Sequence, residues 1–109
     1  MIRNYREVEA VEAEQGAKDV KIRWVITEKE GAPTFLMRIF EFLPGGYSPY
    51  HSHSWEHEVF ILSGKGIVID KDGEHKIGSG DVIFIPRNEK HQFKNTGEDE
   101  LRFICLIPK

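Results

Sequence analysis

From Gly45 to Gly64 the chain reads Gly45-Gly-Tyr-Ser-Pro-Tyr-His51-Ser-His53-Ser-Trp-Glu-His57-Glu58-Val59-Phe-Ile-Leu62-Ser-Gly64. Two features stand out. Val59–Leu62 is a short apolar run of strand length, closed by the turn residues Ser63-Gly64-Lys65-Gly66. Ahead of it, three histidines fall at odd positions within seven residues. Successive side chains of an extended segment alternate faces. His51, His53 and His57 therefore project to one side, and Glu56 and Glu58 to the other, with Pro49 and Trp55 able to interrupt regular pairing.

The same punctuation continues on both sides. Val20–Thr27 alternates apolar and polar residues and is broken by Gly31-Ala32-Pro33. Phe35–Leu43 follows, rich in aromatic and branched side chains, and is expected to end at Pro44-Gly45-Gly46. Downstream, Ile67–Asp70 and Glu74–Ile77 flank Lys71-Asp72-Gly73, a strong hairpin signal. Asp81–Ile85 runs into Pro86-Arg87-Asn88. Gln92–Lys94 and Leu101–Ile107 are split by Asn95-Thr96-Gly97. Short strands at this spacing, with almost no helical periodicity, predict an all-β antiparallel sandwich or barrel. Glu7–Gln15 has only Val8 and Val11 to bury, so it reads as extended or as a turn or two. One domain over 1–109 is expected, with a barrel core at about 20–107 and an N-terminal arm at 1–19.

Composition narrows the function. The 109 residues carry a net charge of only −3, with both signs interspersed, so no basic stripe exists to neutralise phosphates and nucleic acid is not an expected partner. Runs such as Val82–Ile85 are far too short to span a membrane. The charged N-terminal residues lack a signal peptide's apolar stretch, and the lone Cys105 has no disulfide partner; both point to the cytoplasm.

His91, just after the Pro86-Arg87-Asn88 turn, comes from a separate strand and supplies the distant ligand a metal site needs. A lone histidine is usually an ordinary surface or core residue. His-x-His with a third histidine four residues on, in an all-β chain, points instead to a ligand cluster. Neutral imidazole suits zinc, copper, iron and nickel. His75, among charges beside the Asp72-Gly73 turn, reads as solvent-exposed.

These residues resemble the cupin superfamily. Its first motif, G-x5-H-x-H-x3,4-E-x6-G, is met by Gly45, His51, His53 and Glu58, with the closing glycine one place early at Gly64. Its second, G-x5-P-x-G-x2-H-x3-N, is met by Gly80, Pro86, His91 and Asn95. Asn88 stands for the inner glycine, a natural exchange where the turn needs positive φ. The resemblance implies a small β-barrel (a double-stranded β-helix, or jelly roll) with a metal inside. After His53, His57 follows three intervening residues and Glu58 four, so both permitted spacings are filled and the motif does not choose between them. The string from His51 to Phe60 looks like a four-histidine subset of small cupins, including a manganese-binding one from a hyperthermophile. Carried over by position, the ligands are His51, His53, His57 and His91, with Glu58 outside the coordination sphere.

That resemblance implies one divalent transition metal ion, manganese first, with iron, nickel, copper or zinc as alternatives, and a homodimer. Parity places Phe93 beside His91, and Phe103 with Cys105, as a pocket wall suited to an aromatic or alkenyl substrate, or as plain barrel core. Cys105 has no base at a recognisable spacing and reads as a small buried hydrophobe. Arg38, interrupting a very apolar run, either meets a substrate carboxylate or, as such arginines more often do, faces solvent. No catalytic residue is identifiable. The expected activity is that of a metal-dependent oxidoreductase of dioxygenase, quercetinase-like character on a small substrate. The alternatives are a sugar-acid isomerase or lyase using the metal as Lewis acid, and a non-catalytic cupin that binds a small ligand or metal.

Overall fold

A computed structural model describes all residues from Met1 to Lys109. Nine strands form: β1 (Val11–Glu12), β2 (Lys18–Ile26), β3 (Phe35–Tyr47), β4 (His57–Ser63), β5 (Lys65–Asp70), β6 (Gly73–Gly78), β7 (Val82–Ile85), β8 (Gln92–Lys94) and β9 (Leu101–Pro108). They make one curled sheet in the order β6-β5-β8-β3-β9-β4-β7, with β2 and then β1 added on β3. Every pairing is antiparallel.

Alternation in the sequence becomes an inside and an outside. On β4, His57, Val59 and Ile61 are buried while Glu58, Phe60 and Leu62 face out. On β9, Leu101, Phe103 and Cys105 point inward. From β3 come Phe40 and Phe42, whose rings meet Phe103 at 5.2 and 5.4 Å between centroids. Phe93 on β8 closes the stack at 4.8 Å from Phe103. This aromatic cluster fills the barrel next to the histidines. On the outside, Phe60, Val82 and Phe84 leave apolar surface exposed, the last two on the edge strand β7.

Two expectations need revision. β3 does not stop at Pro44-Gly45-Gly46 but runs through it. Gly45 takes φ 82°, the β2–β3 register shifts between Lys18 and Val20, and the strand, still paired with β2 at Lys18–Tyr47, passes from β9 to β8 at Tyr47–Lys94. The bend is held by Asn95 N–H to the Gly46 carbonyl and Gly45 N–H to the Asn95 carbonyl. The break after β2 begins earlier than Gly31. The Thr27 side chain caps a single 3-10 turn, Glu28–Glu30, and Glu30 returns a bond to the Thr27 N–H. The N-terminal arm, read as extended or as a turn or two, has a 3-10 turn at Tyr5–Glu7 and β1 laid against β2.

Two turns show why their residues stand where they do. Asn88 has φ 65°, so asparagine fills the left-handed position of the second motif. Gly64 has φ 88°, and a Cβ there would lie 2.5 Å from the Glu100 carbonyl oxygen. Glycine one place early in the first motif is therefore required by both conformation and space.

Candidate metal centre

The four histidines arrive from three pieces of chain. His57 is the first residue of β4, turned inward by its parity with Val59 and Ile61. His51 and His91 are directly paired, each donating its N–H to the other's carbonyl at 3.1 and 2.9 Å. His53 lies on the irregular loop between His51 and His57, tied down by the Asn88 N–H to its carbonyl at 2.8 Å. Parity thus pointed the right way even though residues 52–56 are not a strand.

One ligand atom from each of His51, His53 and His91 lies within 4.8 Å of the others. His57 falls outside that mutually close group, but its Nε2 lies 2.7 Å from His53 Nε2. Two nitrogens bound at 90° to one ion, each at ~2.1 Å, would be about 3 Å apart. Two of the rings are also set in the required tautomer. His53 Nδ1 meets the Trp55 carbonyl at 3.1 Å and His91 Nδ1 the Glu89 carbonyl at 2.9 Å. A carbonyl only accepts, so both Nδ1 atoms carry the proton and both Nε2 lone pairs are free. Trp55 stacks flat on His53 at 4.5 Å, covering the cluster from the solvent side. The donor set fits a divalent transition ion. Glu58, the carboxylate of the first motif, projects to the opposite face of β4 and does not reach the cluster.

Burial tunes these groups toward neutrality. It is the first cause of the lowered pKa of His53, His57 and His91. His57 falls to about 2, with Arg38 the next contributor. Neutral imidazole is the form that binds metal, so burial favours the ligating form of these three rings. Burial also pushes the Cys105 thiol up, with Arg38 opposing it.

The cluster opens on a cavity of about 40 Å³, lined by Phe93, Phe103 and Cys105 and by Phe40, Phe42 and Ser48. It is far smaller than the ~150 Å³ cavity that admits benzene. An aromatic substrate would enter only if side chains moved, whereas a ligand of a few atoms needs little rearrangement. Arg38 corrects the solvent-facing expectation: it shares the inward face of β3 with Phe40 and Phe42 and is only 6% exposed. Its Nη2 reaches His57 Nδ1 at 3.2 Å and Cys105 Sγ at 3.0 Å. His57 Nδ1 and Cys105 Sγ are themselves 2.9 Å apart. Cys105 is therefore not only a packing residue; it is the one acceptor beside His57 able to take an Nδ1–H.

Residues 38–107 match the Cupin domain family. The chain belongs to the cupin family. Among known proteins it is similar to the oxalate-binding protein of the hyperthermophile Thermotoga maritima, 37% identical over 65 residues, covering 59% of this chain and 54% of that protein. Auxin-binding protein 1 of Arabidopsis thaliana is 34% identical over 77 residues, 62% of this chain and 39% of that protein. The chain spans about half the length of the curated relatives it matches. Among solved structures, the polyketide cyclase RemF of Streptomyces resistomycificus aligns with a TM-score of 0.91 at 36% identity, covering 99% of this chain and 79% of that one.

In this cupin the residue that sequence reasoning missed is Glu14. The β1–β2 hairpin, closed by Ala13 N–H to the Val20 carbonyl and Ala17 N–H to the Glu14 carbonyl, hangs it at the cavity, with Oε1 4.0 Å from His51 Nε2. No motif marks it, because its position depends on how the arm folds back. Glu14 and Arg38 are the only aspartate, glutamate, lysine or arginine side chains in the lining.

The His57 environment has a consequence for stability. Unfolded, its imidazole takes a proton near pH ~6.5; folded, it resists protonation down to about 2. Between those values the unfolded chain binds more protons, so stability rises with pH. The full contribution is present above the unfolded pKa and is lost as the pH falls below it. Urea unfolding of metal-free protein at pH 7 and pH 5 should show a loss of about 1–2 kcal/mol at the lower pH. Equal midpoints would mean that the ring is not held neutral.

Proposed function

We propose that His51, His53, His57 and His91 together hold one divalent transition metal ion, manganese first, and that the protein is a metal-dependent oxidoreductase of dioxygenase type acting on a small molecule. The observation that carries this reading is the convergence of four imidazoles, with two Nε2 atoms 2.7 Å apart, at the end of an apolar cavity. An all-imidazole donor set leaves the ion's 2+ charge uncompensated. Held by these residues, such an ion would supply Lewis acidity, and manganese, iron or copper would also supply redox chemistry toward O₂. The chain's own part is plain. His53 and His91 are oriented by carbonyls, Trp55 shields the cluster, and the aromatic stack excludes water from the substrate's apolar portion.

A redox-neutral reading is favoured by the similarity to a polyketide cyclase over nearly the whole chain. Metal exchange separates the two. Metal-free protein reloaded in parallel with manganese and with zinc, and assayed against a panel of small oxygen-rich substrates, should be active only with manganese, with O₂ consumed in step with product. Equal turnover with zinc would replace the oxidoreductase by a Lewis-acid enzyme.

A further inference from the structure

The charges around the histidine cluster do not balance once a divalent ion is bound. Four neutral imidazoles bring no negative charge, and β4 turns the Glu58 carboxylate to the outer face. Arg38 adds a buried guanidinium that takes part in none of the chain's ion pairs. Buried charge of one sign is costly unless the other sign answers it. The one carboxylate in the cavity lining is Glu14.

The N-terminal arm is built to present that carboxylate. β1 pairs with β2 at Val11–Ile22 and Glu12–Lys21, and the Ala17 N–H closes the hairpin on the Glu14 carbonyl at 3.1 Å. Ala13 and Ala17 flank the tip and pack against the core. Gly16, at φ 94°, approaches Pro49 so closely that a Cβ on it would lie 3.1 Å from the Pro49 Cβ. The tip is therefore seated two residues ahead of His51. The half-exposed Glu14 side chain has His51 as its only ion-pair partner, with Oε1 4.0 Å from Nε2. That is too long for a hydrogen bond. It does suit two atoms sharing one ion. With bonds of ~2.1 Å, adjacent ligand atoms stand about 3 Å apart and opposite ones about 4.2 Å.

We propose that Glu14 is a fifth protein ligand, brought from the N-terminal hairpin to the ion that the four histidines hold. This rests on the four-histidine reading above. Its carboxylate halves the uncompensated charge and supplies an oxygen donor, which suits manganese better than imidazole alone. On a six-coordinate ion it leaves one position for water or substrate instead of two. A carboxylate that was only a charge on the rim would attract cations without changing the number of waters on the ion.

Counting those waters is the test. Solvent proton relaxation, measured on protein saturated with manganese in a non-coordinating buffer, reports the waters bound to the ion. The unaltered chain should show the relaxivity of a single bound water. Glu14→Ala should raise it about 2-fold, since an octahedral ion then carries two waters. Manganese affinity, titrated calorimetrically, should fall by about 10–100-fold, at least as much as loss of a partner behind a ligand costs. Glu12→Ala removes the same charge from the neighbouring strand and should change neither quantity. Alanine at position 14 keeps the backbone bond that closes the hairpin. Two bound waters in the unaltered chain, or equal relaxivity in both proteins at full loading, overturns this inference and leaves the four-histidine reading standing. An unaltered chain that takes up no manganese overturns that reading and this inference with it.

Discussion

Replacing His51 and His91 together by alanine is expected to leave a folded chain that holds no metal. Untagged wild-type protein should retain about one equivalent after dialysis. The two side chains supply half of the imidazoles in the cluster. Loss even of the hydrogen-bond partners behind metal ligands costs about 10–100-fold in affinity; loss of two ligands should exceed that. Folding should survive because the His51–His91 link is made by backbone N–H and C=O groups, which alanine keeps. Elemental analysis of both proteins, with a melting curve on each in the absence of metal, makes the check. Equal metal content would remove the histidine cluster as the binding site. No metal in either protein, even after reconstitution, would leave a metal-free binding barrel.

Phe103→Ala should produce the largest loss of stability. The ring is 2% exposed and packs against Phe40, Phe42 and Phe93 at 4.8–5.4 Å between centroids. Removing a buried phenyl ring costs about 3–5 kcal/mol, the transfer term plus the cavity it leaves. That is a large share of the ~5–15 kcal/mol that holds an ordinary domain together. At this chain length the melting temperature should fall by roughly 10–30 °C. Metal-free protein is the right sample, since bound metal would mask the deficit by linkage. Phe60→Ala, on the outward face of β4 and 44% exposed, is the matched control and should shift the melt by only a few degrees. Similar shifts for both would mean that the aromatic stack is not the centre of the core.

Much of the histidine cluster was legible because its signals are local. Alternation assigned His57, Val59 and Ile61 to one face of β4 without reference to any neighbour, and the same parity put Phe93, Phe103 and Cys105 in the cavity wall. The positive φ of Asn88 followed from its place in the motif. Arg38 was ambiguous for a definite reason. It has the parity of Phe40 and Phe42, but the burial of a charge depends on what it meets, and His57 and Cys105 lie 19 and 67 residues away. Glu14 was invisible because nothing in its own stretch ties it to His51. The end of β3 was misplaced because Pro44-Gly45-Gly46 normally stops a strand. Here Asn95, about fifty residues on, takes up the backbone groups that such a stop would leave unpaired.

The choice of His57 over Glu58 came from the resemblance to four-histidine cupins; the residues alone determined the antiparallel all-β architecture, the grouping of the histidines and the inward faces of the strands. These follow from the two-residue period of an extended chain and from motif spacing, both written along the backbone. Only the folded chain decided that the cavity is small, that Arg38 stands in it without a counter-ion, that Cys105 faces His57, and that Glu14 reaches the cavity from the arm. Each of these is a distance between segments far apart in sequence. Such distances are set by strand register and side-chain packing, which a local pattern does not encode.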